Sequence, residues 1–365
     1  MTSPGSAAPS IRIVRTGPRG LSNPTSEFSA LLSTVRDAGL LRRRRGFYIV
    51  TFLSITAAMG GAWVGFALLH DTWYQLLIAG VLGVLFTQYA FLAHEASHRQ
   101  IFNSGKANDH TGRFIADLIV GISYSWWMSK HSRHHANPNT VSKDPDIEPD
   151  FIIFREEDAV GLKGLYGKLV QRQGWLFFPA LTLEGINLHL HAFKTVLRPG
   201  KVDKRALEIV LLAIRNLGYL AVLFTLLPPG LAFAFLGVQL AVFGVYMGAS
   251  FAPNHTGMPI LEAKAKVDFL GRQVLTSRNI RGGAFMNVYM GGLNYQIEHH
   301  LFPSMARPHL RRASDIVREY CEARGILYTQ TGLGEAYGIV TRYLHKVGLA
   351  ARPTFYCPTA SAAGR

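Results

Sequence analysis

Four long stretches of this chain carry almost no charge. Phe47–Leu69 and Trp73–Ala93 are separated only by the polar turn His70-Asp71-Thr72. Leu207–Leu227 and Leu231–Phe251 are separated only by Pro228-Pro229-Gly230. Each stretch is long enough to cross a bilayer, which takes about 20 apolar residues. The pattern predicts four transmembrane helices in two hairpins. Glu208 and Arg215 interrupt the third stretch. They are expected at a partly buried end, with Arg215 snorkelling toward water. Two shorter apolar runs, Phe114–Met128 and Trp175–Leu190, are expected to lie at the interface. The second contains Glu184, Asn187 and His189. Met1–Ser26 is rich in Ser, Pro and Gly, and residues 1–45 are expected to form a disordered, basic tail. Residues 46–310 then make the membrane domain and residues 311–365 a C-terminal cytoplasmic segment.

The run Arg42–Arg45 stands directly before the first stretch. Basic residues stay on the cytoplasmic side of a span, so the N-terminus is expected in the cytoplasm. Four spans return the C-terminus to the same side. Composition agrees with a membrane protein: 48% of residues are hydrophobic and 17% charged, against roughly 25% charged in a soluble domain. Mean hydropathy is +0.15. The net charge of +15 would also suit a nucleic-acid binder. Here the basic residues flank apolar stretches, so a nucleic-acid partner is not expected and membrane lipids are. Cys321 and Cys357 form no CxxC pair, which argues against a thiolate metal site and for two free thiols.

Candidate chemistry lies in the histidines, of which there are 14. His94-Glu95-Ala96-Ser97-His98 continues the second stretch, and its i, i+4 spacing puts both imidazoles on one helical face. His131-Ser132-Arg133-His134-His135 has offsets i, i+3 and i+4. Gln296-Ile297-Glu298-His299-His300 repeats those offsets with Gln in first place. His255, in Pro253-Asn254-His255, follows the fourth stretch. Neutral imidazole ligates iron, copper and zinc, and two metals take about eight such ligands. The three clusters can share one site only if they lie on one side of the membrane. Four spans satisfy that and a fifth would not, so Trp175–Leu190 is read as interfacial or re-entrant. His94–His98 also fits the zinc-protease pattern HExxH, with Glu95 as base. A single zinc would not need two further clusters. His189 and His191 are candidates to line the site. His70, His110, His309 and His345 are expected in turns, loops or facing solvent.

In these residues the chain resembles the membrane fatty acyl desaturases, above all the front-end group with Gln at the head of the third box, and their bacterial relatives. The resemblance runs from His94 to Pro308 and includes Leu301-Phe302-Pro303. It implies an all-α integral membrane fold with a cytoplasmic cap carrying a di-iron site. The implied ligands are His94, His98, His131, His134, His135, His255, His299 and His300. Gln296 and Asn254 are implied as weak ligands or as hydrogen-bonding groups behind the ligands. The implied reaction consumes O2 and two electrons, and places a cis double bond in an acyl chain carried as an acyl-CoA or an acyl-lipid. No separate acid–base residue is implied. Tyr124, Trp126 and Trp127 are candidates to line the acyl tunnel, or to anchor the interface. Asn139, Asp144 and Asp146 follow the second box beside Pro138 and Pro145, where a turn role is expected, the alternative being to bind the substrate head or to back the ligands. Many front-end members carry a fused haem domain. No histidine precedes His70 here, so electrons are expected from a separate ferredoxin or flavin reductase. A bacterial plasma membrane is the expected location. A related lipid hydroxylase shares the motifs. A metal transporter without redox chemistry would need more polar groups inside the spans.

Overall fold

The computed structural model describes residues 24–352. Most of the expected tail Met1–Ser26, and Cys357, lie outside the described residues. Cys321 is a buried free thiol.

The fold is helical. A short helix, α1 (Pro24–Asp37), precedes α2 (Arg45–Leu69) and α3 (Gln75–Ser97). Then come α4 (Gly105–Arg113), a π-helical turn (Phe114–Val120) and α5 (Tyr124–Ala136). A loop with the small helices α6 (Glu156–Ala159) and α7 (Gly164–Val170) leads to α8 (Gln173–Ala180) and α9 (Glu184–Leu197). The second pair of long apolar helices is α10 (Arg205–Leu226) and α11 (Pro229–His255). The rest comprises α12 (Phe269–Leu275), α13 (Gly283–Tyr289), α14 (Gln296–Leu301), α15 (Arg307–Glu322) and α16 (Leu333–Leu349). Two three-residue strands, β1 (Asn279–Arg281) and β2 (Gln330–Gly332), pair in parallel with Ile280 opposite Thr331.

Helices α2, α3, α10 and α11 are long and apolar enough to cross a membrane. In α3 and α11, 50% and 44% of the most apolar window is buried, against 17% in α2 and in α10. The inner pair therefore builds the core, while the outer pair exposes Ile49, Leu53, Leu68, Ile214 and Leu217. Such a belt has no place in water. Gly83 lets α3 meet α11 closely: a Cβ there would stand 2.8 Å from the Gln239 carbonyl. Buried Gln75 joins α2 to α3 by donating to the carbonyls of Phe66 and His70, both at 2.7 Å.

Three expectations change. The basic tail is in part a helix: Leu31 and Val35 of α1 pack with Ile297, Leu301, Val317 and Cys321. Their i, i+4 spacing makes one apolar stripe, which the surrounding polar residues obscure in sequence. Glu208 is fully buried. It pairs with Arg113 and accepts from Ser123 Oγ at 2.6 Å and Ser125 N at 3.0 Å. Arg215 does not snorkel. Its Nε donates to the Ile119 carbonyl at 2.7 Å, and its guanidinium lies over the rings of Phe86 and Tyr219. Arg215 fastens the π-helical turn to α10 and Glu208 fastens the residues on either side of that turn, because an unpaired charge among apolar helices costs far more than a paired one.

Helix α3 runs four residues past the expected Ala93, and α11 runs past Phe251 to His255. These extensions carry the histidines beyond the apolar layer. Gly83→Leu should overpack the α3–α11 contact by about 1–3 kcal/mol, read as a lower thermal unfolding midpoint in detergent.

Candidate metal centre

Four helix ends bring the histidines together. His94 lies in the last turn of α3, and His98 caps it. His131, His134 and His135 end α5, whose first turn is capped by Ser123 Oγ accepting from Trp126 N at 3.1 Å. His255 ends α11. His299 and His300 lie on α14, whose second residue, Ile297, donates its N–H to Asn279 Oδ1 at 2.9 Å.

The eight imidazoles divide into two groups, within each of which the ligand atoms lie within 4.8 Å of one another. The first holds His94, His98, His131, His135 and His299, and the second holds His134, His255 and His300. In the first group Nε2 atoms face each other: His94 to His131 at 2.9 Å, His98 to His131 at 2.7 Å and His135 to His299 at 3.1 Å. Two nitrogens bound at right angles to one ion, each at about 2.1 Å, would stand about 3.0 Å apart.

Hydrogen bonds fix the tautomers of the second group. Nδ1 of His134 is 3.0 Å from Asp144 Oδ2, that of His255 is 2.9 Å from the Thr276 carbonyl, and that of His300 is 2.9 Å from Gln273 Oε1. Each Nδ1–H is thus committed, and each Nε2 keeps its lone pair. His300 Nε2 is buried without a hydrogen-bond partner in the described residues. Gln296 Nε2 lies 2.9 Å from His255 Nε2, and Gln296 Oε1 accepts from Asn254 Nδ2 at 3.1 Å. The two amides therefore stand beside the second group.

Burial and neighbouring imidazoles push His131, His135, His299 and His300 well below the ordinary histidine range. They are neutral, the form that binds a cation. Burial also disfavours charge on His134, but the carboxylates of Asp146 and Asp144 outweigh it and raise its pKa. The residues present fit two transition-metal ions: they are largely buried, nitrogen-rich and without thiolate.

Glu95 does not serve as a zinc-protease base. Its carboxylate is held in a buried fork by Arg307, with Nε at 2.7 Å and Nη2 at 2.5 Å. Asp144, Asp146 and His134 also meet the geometry of a metal site. Asp144 is instead occupied by the N–H groups of Asn139 and Asp146 and by His134, while Asp146 pairs with Lys130 at 3.0 Å. Asn139 donates to the His255 carbonyl at 3.0 Å, tying α5 to the end of α11. These residues thus make a turn and back the histidines at once.

The remaining histidines join neither group. His189 Nδ1 lies 2.7 Å from the Gly185 carbonyl, and His191 stacks on Trp126. His309 and His345 are half-buried rather than facing solvent. Gln273 and Thr276, which orient His300 and His255, belong to no cluster in sequence and have no signal there. Nor does Phe251, which meets His94 and Trp127 edge-on.

A cavity of about 340 Å³ reaches the second group between Trp126, Trp127, His134, His255 and Gln296. A smaller apolar cavity of about 40 Å³ lies behind His94, against Ala116, Val120, Tyr124, Trp127 and Phe251. Trp127 borders both, and its ring stacks on His131 at 4.6 Å. Asp144→Asn removes the carboxylate behind His134 and should weaken metal binding about 10–100-fold. Metal content after graded chelator dialysis measures it.

Comparison with known proteins agrees with this geometry. The fatty acid desaturase family matches residues 71–332. Delta(8)-fatty-acid desaturase 2 of Arabidopsis thaliana is 25% identical over 346 residues, covering 91% of this chain and 77% of that protein. The acyl-lipid (9-3)-desaturase of Borago officinalis is 25% identical over 345 residues, covering 91% and 77%. Delta(6)-fatty-acid desaturase fat-3 of Caenorhabditis elegans is 26% identical over 331 residues, covering 86% and 72%. With four apolar helices and two buried histidine groups at their ends, the chain is an oxidoreductase that belongs to the fatty acid desaturase family.

Proposed function

We propose that this protein is an oxygen-dependent front-end desaturase that places a cis double bond in the acyl chain of an acyl-CoA or acyl-lipid. The observation that carries the reading is the convergence of eight imidazoles in two groups beside a cavity. In this reading His94, His98, His131, His135 and His299 hold one iron, and His134, His255 and His300 hold the other. Gln296 and Asn254 complete the second site as a weak ligand or as its hydrogen-bonding support. A reduced iron pair, when bound, supplies the O2 activation needed to break an unactivated C–H bond.

The chain's own residues do the rest. Asp144, Thr276 and Gln273 aim the second group's imidazoles by taking up their Nδ1–H. Trp126 and Trp127 guide the acyl chain past the histidines, and Trp127, Tyr124 and Phe251 close an apolar end that excludes water. Electrons come from a separate ferredoxin or flavin reductase. The four spans form two hairpins, with both termini and the site on the cytoplasmic side of a bacterial plasma membrane. Arg42–Arg45, at the start of α2, supports that orientation. Desaturation is favoured over hydroxylation by the relatives, which are named as desaturases.

Gas chromatography with mass spectrometry of fatty acids from a host with and without the protein tests the reading. The expected result is a new cis-unsaturated acid. A hydroxylated product with no new double bond would sink desaturation. His134→Ala should abolish the product, and full activity with metal lost would refute the metal's role.

A further inference from the structure

Glu95 lies inside the first histidine box, yet the metal groups do not use it. Its carboxylate is 2% exposed and Arg307 is 4% exposed. The two-pronged contact, at 2.7 and 2.5 Å, spans 212 positions of sequence. It has company. Tyr48 Oη, from α2, accepts the Arg307 backbone N–H at 3.1 Å and donates to Gln100 Oε1 at 2.9 Å. Gln100 Nε2 donates to the Pro303 carbonyl at 2.8 Å. On the other side of the third box, Gly291 and Gly292 have φ of 58° and 86°. A Cβ on Gly291 would strike the Phe91 ring at 2.3 Å, and one on Gly292 would stand 2.8 Å from Arg307 Cγ. The chain before and after the third box is thus fastened to α3.

The two histidine groups differ in how they are aimed. All three members of the second group have an Nδ1 partner. In the first group, Nδ1 of His94 and of His135 is buried with no partner among the described residues. No hydrogen bond at Nδ1 sets the direction of those two rings, so the backbone that carries them must. Helix α14 has only six residues, too few to hold itself in place. Its position along α3 decides whether His299 meets His94 and His98.

We infer that Glu95 and Arg307, with Tyr48 and Gln100, are positioning residues that set the register of the third box against the first, and so assemble the five-histidine group selectively, while Gln273 separately holds the His300 ring for the other group. The inference rests on the proposed metal reading. A planar fork gripping a carboxylate fixes direction as well as distance, which a lysine ammonium does not.

The test uses the full chain in detergent, loaded with ferrous iron without oxygen. Iron per folded chain is measured for the wild type, Arg307→Lys, Tyr48→Phe and Asp144→Asn, with Mössbauer spectra on enriched iron. A control, Gln75→Leu, removes the buried hydrogen bonds to the carbonyls of Phe66 and His70 at the end of α3 opposite His94. Arg307→Lys should weaken one of the two ions about 10-fold or more, with one spectral component lost. Tyr48→Phe, which deletes a single hydroxyl, should weaken the same ion less. Asp144→Asn should affect the other component. The control should lower the unfolding temperature and keep the full iron load. Wild-type iron per folded chain in Arg307→Lys and Tyr48→Phe, with only unfolding affected, would overturn the inference and leave the metal reading standing. Loss of both components together would overturn selectivity for the five-histidine group. A wild-type chain that binds no iron would sink the metal reading and the inference with it.

Discussion

Eight imidazoles gathered into two groups, with ligand atoms within 4.8 Å of one another in each, are hard to bury. A protonated ring would repel its neighbours and lose its hydration, so burial drives His131, His135, His299 and His300 toward the neutral form. Neutral rings still need their nitrogens satisfied. Much of the surrounding structure answers that need. Asp144, Gln273 and the Thr276 carbonyl serve one group. In the other, the rings face each other through Nε2, an arrangement suited to a shared cation.

The apolar helices constrain the same region from the other direction. Polar groups between them survive only when paired. Glu208 collects Arg113, Ser123 and Ser125, and Arg215 takes the Ile119 carbonyl. These contacts hold the π-helical turn and the start of α5, and so the ring of Trp127 against His131. The wall of the small cavity behind His94 is therefore fixed by charges buried a helix away. Glu95 and Arg307 repeat the device between α3 and the start of α15.

Box two shows why the arrangement needs several elements. Successive residues on an α-helix point about 100° apart. His131 and His135, four apart, share a face and enter the first group, while His134 enters the second. His299 and His300 divide in the same way on α14. Two short helices thus bridge both groups, whereas α3 serves only the first and α11 only the second.

Much of this was legible along the chain. The four apolar stretches, the three boxes and His255 are local patterns, set by helical period and by the length an apolar helix needs. The division of the eight histidines was not legible, because it depends on where α3, α5, α11 and α14 meet. Nor was the work of Gln273, Thr276 and Arg307, each isolated in sequence and meaningful only through a partner brought near by folding. Glu95 marks the limit most clearly. Its neighbours made it look like a protease base, and only the approach of Arg307 from 212 residues away made it half of a buried ion pair. Helix period and hydrophobicity act over a few residues. Desolvated charge is settled by whatever the finished fold places beside it.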